Sequence, residues 1–279
     1  MIEAAAVVAG GGALAASLYY YIWGRTSSPP QFGVPLETVE KADSGLPKAV
    51  DQVLRSLRED GIRELGIFRQ SGSRKVVREL KEQFDLGGAV SLDNVDAHSR
   101  GDLLKYFLRE LPDPVFPYKV FNLCMDVEKR FRTDQDMQRW IASTKCIIAD
   151  LPPSHKTLLR ELCYFLNEVA QHAEVNAMGV TNLATCFGPN MLTTKDSATL
   201  QELLDLTPLV TRFILKCIEN REQLFEEPQP VVATAAAAPA GEAASEEYTS
   251  AAEEDIKEYL LVGEEEGQAA TGEGDGAER

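Results

Sequence analysis

The sequence predicts an all-α, multi-helix domain, and three observations carry that expectation. Apolar residues recur at helical spacing through most of the chain between residues 46 and 223. No series of strands with alternating apolar and polar residues interrupts them. Proline and glycine fall between the helical runs, at Pro112, Pro152, Pro153, Gly179, Gly188 and Pro189, where helices tend to stop.

The first predicted helix covers Leu46 to Leu57. Ala49, Val50, Val53, Leu54 and Leu57 fall on one face, with Asp43 and Ser44 as N-cap candidates and Gly61 as a C-cap. A second begins near Ser73 and buries Val76, Val77, Leu80 and Phe84. A third covers Arg100 to Leu111 and ends at Pro112. Further helical runs cover residues 116–127, 135–150, 154–173, 180–186 and 200–223.

The chain has 279 residues, enough for one full domain with extensions. Residues 1–25 hold an uncharged stretch, Ala4 to Trp23, of bilayer-spanning length. Tyr19, Tyr20, Tyr21 and Trp23 lie at one end of it, and Arg25 follows. It is a candidate membrane anchor with the rest of the chain on the cytoplasmic side. Against that stand its Ala/Gly composition and three consecutive glycines, which weaken a helix and fit a flexible leader. Residues 26–31 read as a linker and 32–225 as the folded domain. Residues 226–279 read as an acidic disordered tail, with a short amphipathic patch from Glu253 to Val262.

The net charge of −16 is concentrated in that tail, which has 15 acidic and two basic residues. The body is near neutral, which argues against nucleic acid as a partner. The five cysteines, Cys124, Cys146, Cys163, Cys186 and Cys217, contain no CxxC pair and read as reduced thiols rather than a disulfide framework or zinc site. His98, His155 and His172 read as surface or partly packed residues. There is no nucleotide-binding GxxxxGK[ST], since Gly10-Gly11-Gly12 lacks a following lysine. No bound cofactor or metal is expected.

Three segments carry candidate chemistry. In Leu65 to Arg74, LGIFRQSGSR, Arg69 follows the apolar pair Ile67-Phe68 and precedes a Ser-Gly-Ser turn. The base of such a loop is buried and its tip exposed. A guanidinium there suits a phosphate, because its charge is permanent and its planar fork meets two oxygens. It equally suits bracing the loop against a carboxylate. In Asp102 to Pro114, DLLKYFLRELPDP, Lys105 and Arg109 stand four apart, off the apolar face. They can bond the carbonyls of the Arg69 loop, meet an acidic partner, or form a solvated face. In Val180 to Leu192, VTNLATCFGPNML, the helix is expected to end at Gly188-Pro189 with Asn190 in the following loop. Asn190 can read a partner's backbone through its donor and acceptor, and Asn182, inside the helix, can do the same inward, toward the Arg69 loop. Both asparagines equally suit turn and cap roles.

The order and spacing of GIFRQSGS, LLKYFLRELPDPV and NLATCFGPNML resemble the RhoGAP family. FGVPLE and LPKAVDQVLRSL resemble that family's opening segment and first long helix, so the resemblance covers Phe32 to Phe225. Departures are small: Asp113 where Glu is common, and Cys186 where Val is common. The resemblance implies a RhoGAP-type bundle with flexible extensions. It implies that Arg69 is an arginine finger acting in trans, and that Lys105 and Arg109 support its loop and the contact with the partner. It places Asn190, with Asn182 behind it, on the binding surface. The implied partner is a Rho-family small GTPase in its GTP-bound form, which itself holds GTP and Mg. The chain would then be an activator with no reaction of its own, in the cytoplasm or tethered there through residues 4–23. Two alternatives are a catalytically silent GTPase-binding scaffold and a membrane-tethered adaptor that works through its tail.

Overall fold

The computed structural model describes residues 29–87, 89–131, 133, 136–195 and 200–225. Among these there is no strand; a single antiparallel bridge joins Lys41 and Pro47. The candidate anchor, linker residues 26–28, the acidic tail and its patch lie outside the described residues. No described helix is long and apolar enough to cross a membrane.

The helices are α1 (Lys48–Ser56), α2 (Arg74–Asp85), α3 (Ala97–Glu110), α4 (Phe121–Arg130), α5 (Met137–Ala149), α6 (Pro153–Ala170), α7 (Ala173–Asn176), α8 (Val180–Met191), α9 (Leu200–Glu219) and α10 (Arg221–Phe225). They fall into two compact units. The first takes residues up to 122 and 151–221; the second takes 123–150 and residues from 222 onward. In the second unit Trp140 is buried and its indole N–H donates to the equally buried Glu128 carboxylate at 2.9 Å. Every residue discussed below as a candidate site belongs to the first.

The first unit buries one apolar stripe from each helix. Val53, Leu54, Leu103, Leu104, Leu158, Leu162, Phe165, Phe187 and Phe213 are almost fully enclosed. Phe32 lies among Phe84, Tyr106 and Phe107, with ring centroids 5.4 to 6.4 Å apart. Asp85 accepts from the backbone N–H groups of Gln31 and Phe32, so the segment before α1 is fastened to the end of α2.

Helix boundaries differ from the sequence expectation where side chains found other partners. Ser44 does not cap α1: its hydroxyl donates to Asp51, and Pro47 holds the N-cap position. Gly61 does not end the helix with a left-handed cap. It lies in a widened turn, Leu57–Gly61, in which the N–H of Ile62 reaches back to the Leu57 carbonyl. Arg100 is buried against this turn, donating to the Ser56 carbonyl at 2.9 Å and pairing with Asp60 at 2.6 Å. Arg58, on the same turn, bonds Glu161 and Glu168 of α6. α3 starts earlier than predicted, at Ala97, because Asp96 caps it by accepting from the Ser99 N–H at 2.8 Å. His155 is more enclosed than a surface or partly packed residue, lying in the core with Nδ1 donating to the Val115 carbonyl at 3.1 Å.

α8 runs through Gly188 and Pro189 to Met191 instead of ending at Cys186. Proline removes one helical hydrogen bond, but α8 lies along α9, where Gly188 sits against Val210. Packing outweighs the local propensity. Asn190 is therefore helical, and its side-chain amide donates to the Cys186 carbonyl at 2.8 Å.

One buried residue organises the irregular part. Asn176 donates from Nδ2 to the carbonyls of Ile62 and Val169, at 2.8 and 2.9 Å. Its Oδ1 accepts from the Met178 N–H at 2.7 Å, and its own carbonyl accepts from Gly66. The loop after α1, the end of α6 and the turn into α8 are thereby joined. Asn176→Ala strands the Ile62 carbonyl and the Met178 N–H and removes one of two donors to the Val169 carbonyl, so it should lower the unfolding free energy by about 3 kcal/mol. Asn182→Ala, at an exposed position, should change it by no more than about 0.5 kcal/mol. Urea titration of both variants checks the pair.

All five cysteines are free thiols. Burial pushes the Cys163 thiol up to about 12 and raises Cys124 as well. A thiolate-selective reagent at about pH 8 should therefore leave both unmodified in the native protein and label both in urea.

Candidate functional site

The loop between α1 and α2 is built from its buried base outward. Ile67 and Phe68 are enclosed. The Phe68 ring meets Phe187 edge to face at 4.9 Å and Phe165 at 6.0 Å. Its backbone is left-handed, at φ 67°, a conformation that a bulky residue adopts only under tertiary constraint. That turn sends the next side chain, Arg69, outward while the aromatic ring stays in the core.

The peptide unit between Phe68 and Arg69 is held at both ends. Lys105 Nζ donates to the Phe68 carbonyl at 2.6 Å, and the Arg69 N–H donates to the Gly66 carbonyl at 3.0 Å. Because the unit is planar, these bonds fix the direction in which Arg69 leaves the chain. The far shoulder of the loop is fastened by α3 as well. Asp102 accepts from the Gly72 N–H at 2.8 Å, and Ser99 Oγ accepts from the Ser73 N–H at 2.9 Å. Gly72 is required by proximity, since a Cβ there would stand 2.3 Å from the Ser99 nitrogen. Asp102 also pairs with Lys105 at 2.9 Å, so one acid–base pair on α3 holds both shoulders. Between them Arg69, Gln70 and Ser71 are exposed. The Arg69 guanidinium makes no hydrogen bond or ion pair with a described residue, so it does not brace its own loop.

α8 faces this arrangement. Burial pushes the Cys186 thiol up, against the opposing pull of Lys105 and Arg69, which places Cys186 within electrostatic reach of both cations. Asn190 lies one turn further along α8, half-buried and bonded to the Cys186 carbonyl. Arg109 is exposed one turn beyond Lys105. It stacks over the Tyr106 ring at 5.7 Å and makes no bond to the loop, so of that pair only Lys105 supports it. Asn182 does not turn inward: it is exposed, and its amide donates to the Ala177 carbonyl at 3.2 Å.

Asp102 and Asn176 were not singled out from the sequence. Asp102 had a readable signal, since it stands three residues before Lys105 on one helix. Asn176 had none in periodicity, because its partners are backbone groups of distant segments. Among the described residues no three His, Cys, Asp or Glu side chains gather as a metal site.

The RhoGAP domain profile matches residues 47–196, just over half of the chain. Mouse Rho GTPase-activating protein 22 is 37% identical over 182 residues, covering 64% of this chain and 25% of that protein. Human Rho GTPase-activating protein 24 is 35% identical over 180 residues, covering 64% of this chain and 24% of that protein. The chain thus spans about a quarter of the length of these curated relatives. Among solved structures, that of human Rho GTPase activating protein 15 superposes with a TM-score of 0.64 at 25% identity, covering 71% of this chain and 93% of that one. With its profile match, the helical bundle and the GIFR loop seated on α3, the chain belongs to the RhoGAP family.

Proposed function

We propose that this chain accelerates GTP hydrolysis by a Rho-family small GTPase, with Arg69 entering the partner's nucleotide site in trans. The observation that carries the reading is an exposed arginine, with no hydrogen bond or ion pair to a described residue, on a loop fastened at both shoulders. Its relatives' names point to the same activity. The partner supplies the GTP-bound site, Mg and the residue that orients water. Arg69 adds positive charge where the phosphoryl transition state spreads negative charge over oxygens. An arginine finger in trans contributes roughly 10³ to 10⁵ in rate, or about 4 to 7 kcal/mol of barrier.

Lys105 and Asp102 act on the loop and not on phosphate. By holding the Phe68 carbonyl and the Gly72 N–H before the partner arrives, they spare the encounter the ordering of that backbone. Arg109, Asn182 and Asn190 then serve as partner contacts around the finger, Arg109 through its charge and the asparagines through amide groups. The reading of the domain as 32–225 is wider than the profile match; the burial of Phe32 supports its start. A silent scaffold using the same surface would bind the GTPase without hastening hydrolysis.

Arg69→Ala should retain binding to the GTP-loaded GTPase and lose about 10³-fold or more of the stimulated rate. A single-turnover hydrolysis assay beside a pull-down decides it; an undiminished rate removes Arg69 from the role. Lys105→Met frees the Phe68 carbonyl and should slow the stimulated rate by about 10- to 100-fold. In the same assay Arg69→Lys should not restore wild-type rate, because an ammonium lacks the planar fork.

A further inference from the structure

Leu65, Leu86, Val175 and Leu204 stand out as large apolar side chains exposed to solvent among the described residues. Single exposed apolar residues are ordinary, and Leu86 past the end of α2 and Leu204 on α9 are such cases. Leu65 and Val175 differ, because the backbones that carry them are joined. The residue after Leu65 donates its N–H to the carbonyl of the residue after Val175, from Gly66 to Asn176 at 2.7 Å. Leu65 is 56% exposed and Val175 59%, in spite of a buried residue beside each.

We propose that Leu65 and Val175 form an apolar ledge beside the finger that receives an apolar patch of the GTPase and sets affinity and selectivity, not turnover. The inference rests on the reading of Arg69 given above. Continuity with that surface commits the ledge to this occupant. The Leu65 carbonyl accepts from the side chain of Gln70, the residue after Arg69, at 3.1 Å. Two residues past Val175, the Ala177 carbonyl accepts from Asn182. Arg69, Gln70, Leu65, Val175, Ala177 and Asn182 are all exposed, and the segments that carry them are joined by the Gln70–Leu65, Gly66–Asn176 and Asn182–Ala177 hydrogen bonds.

The ledge is also rigid. Asn176 is wholly buried between its neighbours, and Ala177 is held at φ 56°, left-handed for a non-glycine residue. Docking there requires no ordering of backbone, which lowers the entropy lost on association. Selectivity follows from the same chemistry. A GTPase that presents a charged or amide side chain opposite Leu65 and Val175 must strip water from it without gaining a polar partner. One that presents an aliphatic or aromatic side chain has no such penalty.

The test is the double variant Leu65→Ser/Val175→Ser, with Val175→Lys as a second, independent change. Hydrolysis is followed at increasing concentrations of a GTP-loaded Rho-like and a GTP-loaded Rac-like GTPase. For the preferred GTPase the half-saturating concentration should rise by about tenfold or more, with kcat unchanged and the melting temperature retained. Leu65→Met should leave it near wild type. An unchanged half-saturating concentration in both variants overturns the proposal, as does a fall in kcat alone. Sedimentation showing a wild-type dimer that the double variant dissolves, with half-saturation unchanged, would assign the ledge to a second copy and overturn it too. Arg69→Ala measured alongside separates the two readings. It should lower kcat and leave half-saturation alone; full activity in that variant removes the finger while the ledge is still judged on half-saturation.

Discussion

The site depends on one carbonyl. Phe68 is left-handed, so its carbonyl oxygen points to Lys105 while its ring fills the slot between Phe165 and Phe187. Either condition alone leaves Arg69 free to swing. The ring anchors the position of the loop, and the ammonium anchors the orientation of the peptide plane. Together they convert a flexible arginine side chain into one with a defined point of departure. The left-handed backbone is sustained by these contacts, since nothing in Phe68 itself favours it.

The irregular segments are held by polar groups buried for that purpose. Asn176 satisfies backbone groups of three separate segments, and Arg100 occupies the Ser56 carbonyl at the widened turn of α1. Burying an amide or a guanidinium is expensive; Asn176 offsets the cost with its three bonds, while Arg100 leaves Nε without a partner among the described residues. The exposed surface around Arg69 consequently stands on backbone that helices α3, α6 and α8 determine.

Much of the bundle was legible in periodicity. Val77, Leu80 and Phe84, or Leu103, Leu104, Phe107 and Leu108, are buried as their spacing requires. Misreadings cluster at ends, where one side chain chooses among several backbone partners. Ser44 chose Asp51 over a helix N–H, and Asp96 capped a helix three residues ahead of its expected start. Pro189 looked like a stop but lies in α8, because burial along α9 outweighs a missing hydrogen bond. At the site, the sequence motifs located Arg69 and Lys105, yet the division of labour between Lys105 and Arg109 required the fold. Spacing shows that two cations share a helix. It does not show which one a carbonyl will meet.

The bonds that orient the Arg69 loop span large separations in the chain, 37 residues from Phe68 to Lys105 and 30 from Gly72 to Asp102. No local stretch around Arg69 contains the information for its own orientation. A peptide copied from the loop would carry the guanidinium but not its bearing, and loosening α3 would turn the arginine aside without touching it. The exposure and direction of Arg69 are for this reason a gauge of tertiary integrity. The arrangement should be lost with the melting of the helical unit as a whole, at the same temperature and with the same steepness, instead of loosening ahead of it.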